Sequence, residues 1–575
     1  MRIKFFKLIL ILLFYYTPVY SKNQNFNEFS LSNLSNYFSG IVAYDNKNNT
    51  EALSFFKSSK TLIKQHSPYL EKFIYSLVLE GNVLQATNEI KINLNKNNSN
   101  FFEAHLILAL DSLKKKNYKK SKEHLQKSYK FINNNKVSLI IFETLKQYLY
   151  VFEENKFPEI QNKFGSFSFI NKVFQACYLN DKNTQSYFEN LVYNSGADIS
   201  KFQKDNLRNK DSDYSRYIYF YLGYLTEQNR FDETKEITNN LDYLNLSLLI
   251  SQGKKWVENQ KFNEFKKIFS CRKSNDIISE FLFLIANLYS SQKNYEQSNF
   301  YLNISYYFNP KFLFNLSLLA ENHYLNKDYL KTSKILKVFK KKDQFYYWFK
   351  LKKEAQIISK EENYIASLKF ISSKFKNIKD PSLKIIFDFA NFNKNAKKYK
   401  EAIRLYNRIL LKIDDSSPFY NEVLFRRGGS YERIGDYKNS DKDLLKSLEI
   451  NPDDAYVLNY LAYSWLEREY KIEVALEMLK KAYEKTENDA YIIDSIGWAH
   501  YLMKDYVKAE DFLKRAVELM PEDPTVNDHY ADILWKLDRK IQARYFWKSV
   551  LKLEETEDEM RKNILSKLSE VLENS

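Results

Sequence analysis

AYIIDSIGWAHYLMKDYVKAEDFLKRAVELMPED, residues 490–523, runs directly into PTVNDHYADILWKLDRKIQARYFWKSVLKLEE, residues 524–555, and the two stretches share one layout. In the first, Ile493, Ile496, Gly497 and His500 stand at i, i+3, i+4 and i+7, and Tyr506, Ala509, Leu513 and Ala516 follow at three- and four-residue steps after a polar interval. Asn527, Tyr530, Ala531 and Leu534, then Ala543, Trp547 and Val550, take the corresponding places in the second. Such spacing draws one packing stripe along each helix, so each stretch reads as two amphipathic helices. Gly497 and Ala509, like Ala531 and Ala543, stand where the paired helices face each other, and a larger side chain there overpacks at about 1–3 kcal/mol. Pro452 and Pro521 end second helices, while Asp454, Asp489 and Asp523 fall where the next helix needs an N-cap.

A 34-residue helix-turn-helix unit with small residues at positions 8 and 20 and proline at 32 resembles the tetratricopeptide repeat family. The register extends toward the N-terminus. Leu461, Ala462, Trp465, Ala475 and Ala482 form a copy with one inserted residue, and Arg427, Gly428, Tyr431, Gly435, Tyr437, Ser440 and Pro452 form another. Ala390 with Tyr399, Ala402 and Tyr406, Ala320 with Tyr329 and Leu336, and Ala286 with Tyr295 and Ser298 continue it. Weaker echoes lie at Ala109, Tyr118 and Ser121 and at Gly40, Ala52 and Phe56. The chain therefore divides into clear repeats over 380–553, moderately clear ones over 271–379, degenerate repeat-like helices over 22–270, and a C-terminal capping helix over 554–575. The resemblance implies an all-α fold, a right-handed α-solenoid of stacked helix-turn-helix repeats.

Composition agrees with helices. The 10 Gly and 9 Pro in 575 residues are too few turn formers for a large β-sandwich or barrel, and a Gly-rich phosphate loop is absent. The formal charge of +16 is uneven: residues 451–575 carry a net −8 and residues 1–450 a net +24. Of the 88 basic residues 73 are Lys, which fits solvated helix faces better than a nucleic-acid surface.

The N-terminus reads as an export signal over residues 1–21: Arg2, Lys4 and Lys7, an apolar run from Leu8 to Tyr16, Pro18, then Val19 and Ser21 before Lys22. No Cys follows the run. This places the mature chain in an exported, periplasmic or envelope-associated compartment. Cys177 and Cys271 are 94 residues apart, and with two or three helical pairs stacked between them they are expected to be buried, unpaired thiols.

Catalytic chemistry has no foothold in the sequence. The six histidines show no i, i+4 pair, no CxxC exists, and GxSxG, Walker and GxGxxG motifs are absent. No catalytic residue, metal site, cofactor or small-molecule substrate is expected, and His500 reads as a packed, hydrogen-bonded core residue. In tetratricopeptide proteins partners contact the first helices on a concave face. The resemblance carries that role onto Tyr456, Asn459 and Tyr463, then Tyr491, Asp494, Trp498 and Tyr501, then Asp528, Asp532 and Trp535, a surface rich in rings and carboxylates suited to basic side chains. It implies a non-enzymatic protein–protein interaction scaffold of the cell envelope, holding a segment of another protein or associating with envelope membrane proteins, with no nucleic acid. The alternative is a regulatory or substrate-presenting subunit of an envelope or polysaccharide assembly enzyme.

Overall fold

The computed structural model describes residues 30–64, 66–94, 100–132, 135–159, 164–193, 216–241, 247–415, 417–554 and 556–573. The expected signal over 1–21 lies outside the described residues. Among those described, the regular structure is helical and contains no strand. The helices form two compact units, one extending to Lys350 and one from Leu351 onward.

In the second unit the helices pair as the spacing predicts: Leu383–Asn395 with Tyr399–Leu410, Pro418–Glu432 with Tyr437–Ile450, Ala455–Leu466 with Ile472–Tyr483, Ala490–Leu502 with Tyr506–Leu519, and Pro524–Lys536 with Lys540–Val550. Asp454, Asp489 and Asp523 are N-caps, each side chain accepting two backbone N–H groups of the turn it opens. Between the helices of a pair the chain turns through the left-handed region. Lys397, Gly435, Lys504 and Asp538 have φ of 58°, 78°, 62° and 60°, and each stands two residues before a second helix. Close packing explains the small residues. Gly497 abuts Leu513 so tightly that an added Cβ would lie 2.6 Å from its Cγ, and Ala509, Ala531 and Ala543 are fully buried. The helix Asp558–Glu573 covers the end of this series, burying Ile564 with Leu534, Trp547 and Val550 while Met560 and Leu568 pack beside them.

The first unit also consists of helical hairpins, but its early and late helices meet. Tyr295–Phe308 packs on Ser67–Leu79, where Phe300 stacks on Tyr75 at 4.6 Å and Asn303 donates to the Leu79 carbonyl at 3.3 Å. Lys331 pairs with Glu80 at 2.8 Å, and Phe281 lies 6.1 Å from Tyr148. This return corrects the expectation of free thiols. The helices Ser166–Leu179 and Ser274–Ser291 become neighbours, Cys177 and Cys271 come to a Cα separation of 5.8 Å, and the two are joined as a disulfide. Sequential stacking would have kept them apart; the fold-back does not.

The same packing explains the aromatic excess. Tyr69, Tyr148, Tyr219, Tyr221, Tyr301, Tyr346 and Tyr406 are fully buried, and Phe174, Phe220, Phe265, Phe269 and Phe312 join one core cluster. Most rings serve packing, which makes those left exposed informative.

Candidate functional site

The first helices Ala455–Leu466, Ala490–Leu502 and Pro524–Lys536 contact one another in succession, so their outer sides form one face. The residues carried over from the family pattern divide there into three groups. Tyr456 and Tyr491 are exposed by 61% and 52%, the most open rings of the set, and the Tyr491 hydroxyl donates to Asp523 at 3.2 Å. Asn459, Tyr463, Trp498, Tyr501, Asp528, Asp532 and Trp535 are half-buried.

Asp494 is the exception. It is not an outward-facing contact residue: it is 4% exposed and its Oδ2 lies 2.8 Å from His529 Nδ1. Position 5 of that repeat points at the following repeat, where His529 projects back, so the pair staples two units together. Burial alone would lower the His529 pKa, but the Asp494 carboxylate, with its hydrogen bond and the fields of Asp528 and Asp532, raises it to about 9. His529 is therefore an imidazolium at neutral pH.

The rings stack around that cation. Trp498 lies 4.1 Å from His529 at an interplanar angle of 13°, and on its other neighbour, Tyr501, it stacks at 4.6 Å and 7°. An indole over an imidazolium gains from the ring quadrupole as well as from contact area. Burial raises the Tyr463 phenol, with Glu467 and Asp494 adding to it, and burial beside Asp532 raises Tyr501 to about 12, so both hydroxyls stay protonated donors. Trp535 lies 5.7 Å from Trp547, with the Lys540 ammonium 5.3 Å from its ring.

Asp528 and Asp532 stand one helical turn apart. Lys567 of the C-terminal helix reaches both: its Nζ is 2.8 Å from Asp528 Oδ1 and 2.7 and 2.8 Å from the two oxygens of Asp532. Asp532 also accepts from Trp547 Nε1 at 3.1 Å. Burial and the neighbouring Asp528 charge push the Asp532 carboxyl up, against the pull of Lys567.

Two participants escaped sequence reasoning. His529 was one histidine among six, although an acid at position 5 of one repeat and a histidine at position 6 of the next mark the pair. Lys567 lies on a helix recognisable only as an end cap. His500 packs as expected, its ring parallel to Phe512 at 5.8 Å, but its Nδ1 is 3.6 Å from the Asp505 carboxylate, beyond hydrogen-bond reach. Among the described residues no group of three or more metal-ligating side chains converges. No described helix is long and apolar enough to cross a membrane.

These features define an all-α helical-repeat protein. The family model for the tetratricopeptide repeat matches residues 422–454, so the chain carries a repeat of that kind there. A TPR repeat-containing protein of Pseudomonas aeruginosa, PA4667, is 31% identical over 100 residues, which is 17% of this chain and 17% of that one. Among solved structures, TTC0263, a thermophilic TPR protein of Thermus thermophilus, is 19% identical with a TM-score of 0.29, covering 32% of this chain and 99% of that one. Pseudomonas aeruginosa PilF is 16% identical with a TM-score of 0.28, covering 33% and 84%. Repeats of this class support protein–protein interaction scaffolds.

Proposed function

We propose that the chain is a non-enzymatic scaffold of the cell envelope that holds a segment of a partner protein on the face built by residues 455–536. The observation that carries this reading is the exposure of Tyr456 and Tyr491 at matching positions of adjacent repeats, in a molecule that leaves few of its described rings so open. Rigid aromatic side chains give large contact area for little lost entropy. The carboxylates beside them favour a segment bearing Lys or Arg.

An exported location is supported by the residue pattern of 1–21 and by the Cys177–Cys271 disulfide, a bond that persists in oxidising compartments. Affinity capture from the native envelope fraction tests both parts. The double variant Tyr456→Ala with Tyr491→Ala should lose partner capture at unchanged helicity, because neither ring supports the core. Retained capture removes the face from the reading, and a chain found only in the cytosolic fraction removes the envelope.

A further inference from the structure

The C-terminal helix does two separable things. Its apolar side closes the last repeat: Ile564 is fully buried, Leu568 packs on the same cluster, and Arg561 donates to the Leu551 and Leu553 carbonyls. Those contacts anchor the helix without Lys567. Lys567 adds an ammonium group on three carboxylate oxygens of the candidate partner-binding face, with the Trp547 ring 5.7 Å away. Two carboxylates one turn apart on a helix repel unless a cation sits between them. In the preceding repeat Asp494, almost wholly buried and paired with His529 through Oδ2, keeps Oδ1 without a hydrogen-bond partner.

We infer that Asp528 and Asp532 form a receptor for a single ammonium or guanidinium group, and that Lys567 is its resident occupant, displaced when a partner segment supplies its own Lys or Arg. The inference rests on the scaffold reading and names the group that the face takes. The geometry shows the recognition mode directly, since a primary ammonium already sits within 2.8 Å of both carboxylates. A tethered cation lowers the apparent affinity of a competitor by the fraction of time the site is free, so occupancy of about nine-tenths costs about tenfold. The C-terminal helix thereby sets a threshold: weakly basic segments do not displace Lys567, and well-placed ones do.

The test uses the full chain and a fluorescein-labelled (Gly-Ser-Lys)4 peptide, with (Gly-Ser-Glu)4 as control. Lys567→Gln should bind the basic peptide about tenfold more tightly than the wild type. Lys567→Arg, which refills the site, should match the wild type, and Asp528→Asn with Asp532→Asn in the Lys567→Gln background should lose the gain. Equal affinity of wild type and Lys567→Gln overturns the inference, as does a gain that survives the double Asn change. In the wild type, saturating (Gly-Ser-Arg)4 should free the Lys567 amine and speed its acylation by acetic anhydride; unchanged or slower acylation overturns displacement even if Lys567→Gln were to disturb the helix. If these outcomes fail while partner capture still depends on Tyr456 and Tyr491, only the occupant is refuted. If that capture fails too, the scaffold reading falls with it.

Discussion

The Asp494–His529 pair makes stability in the last repeats depend on pH in a stated direction. His529 is almost wholly buried, and its pKa stands at about 9 against an ordinary 6.5. Because the folded state binds the proton more tightly than the unfolded chain, the pair's contribution is complete below pH 6.5 and is lost as pH rises through 9. A tenfold step in proton affinity is worth about 1.4 kcal/mol, so the window holds about 3 kcal/mol. That agrees with the roughly 3–5 kcal/mol set free when one partner of a buried pair is removed. Asp494→Asn should therefore be less stable than the wild type by about 3 kcal/mol at pH 6.5, and nearly equal to it at pH 10. Urea unfolding followed by tryptophan emission reads the affected region, since Trp498, Trp535 and Trp547 all lie in or beside these repeats. Taking the difference between the two chains at each pH removes the titration of other groups. Parallel pH profiles for wild type and Asp494→Asn would refute the argument, because they would mean that His529 is neutral in the fold.

Two further perturbations address packing and covalent closure. Gly497→Ala should lose about 1 kcal/mol in urea unfolding, because the gain of about 1 kcal/mol in helix propensity is outweighed by overpacking; the new Cβ would stand 2.6 Å from Leu513 Cγ and 3.1 Å from its backbone nitrogen, which cannot move cheaply. Replacing Cys177 and Cys271 together by Ala should cost about 2–4 kcal/mol in the first unit, given the long stretch of chain the bond closes, and thermal melting of oxidised wild type against the double variant measures it.

How much of this was legible in the sequence depends on whether a local rule decides the residue. The pairing over 455–553 was readable because small residues, apolar stripes and Asp caps all act within one repeat, and each constrains the residue types allowed there. The left-handed turn residues were not readable, although they recur with the repeat. Gly435 announces the conformation and Asp538 tolerates it better than most, while Lys397 and Lys504 adopt it with side chains that favour it no more than others do. Weak repeat similarity before residue 271 has a related cause: Tyr and Phe fill that core, and large rings can pack in many registers.

Contacts that depend on the path of the whole chain left no such mark. Phe300 against Tyr75 looks in sequence like any other core ring, so nothing announced that Tyr295–Phe308 returns to Ser67–Leu79 and brings Cys177 to Cys271. The same reasoning separates the parts of the candidate face. Tyr456 and Tyr491 could be assigned outward from helix position alone, because both rings stay exposed even though the Tyr491 hydroxyl meets Asp523. Asp494, Asp528 and Asp532 could not, because their state is set by residues on other helices: His529 holds the first and Lys567 the other two. Position on a helix says which way a side chain starts; whether it ends as a free contact, a staple or an occupied receptor depends on what the next helix sends back.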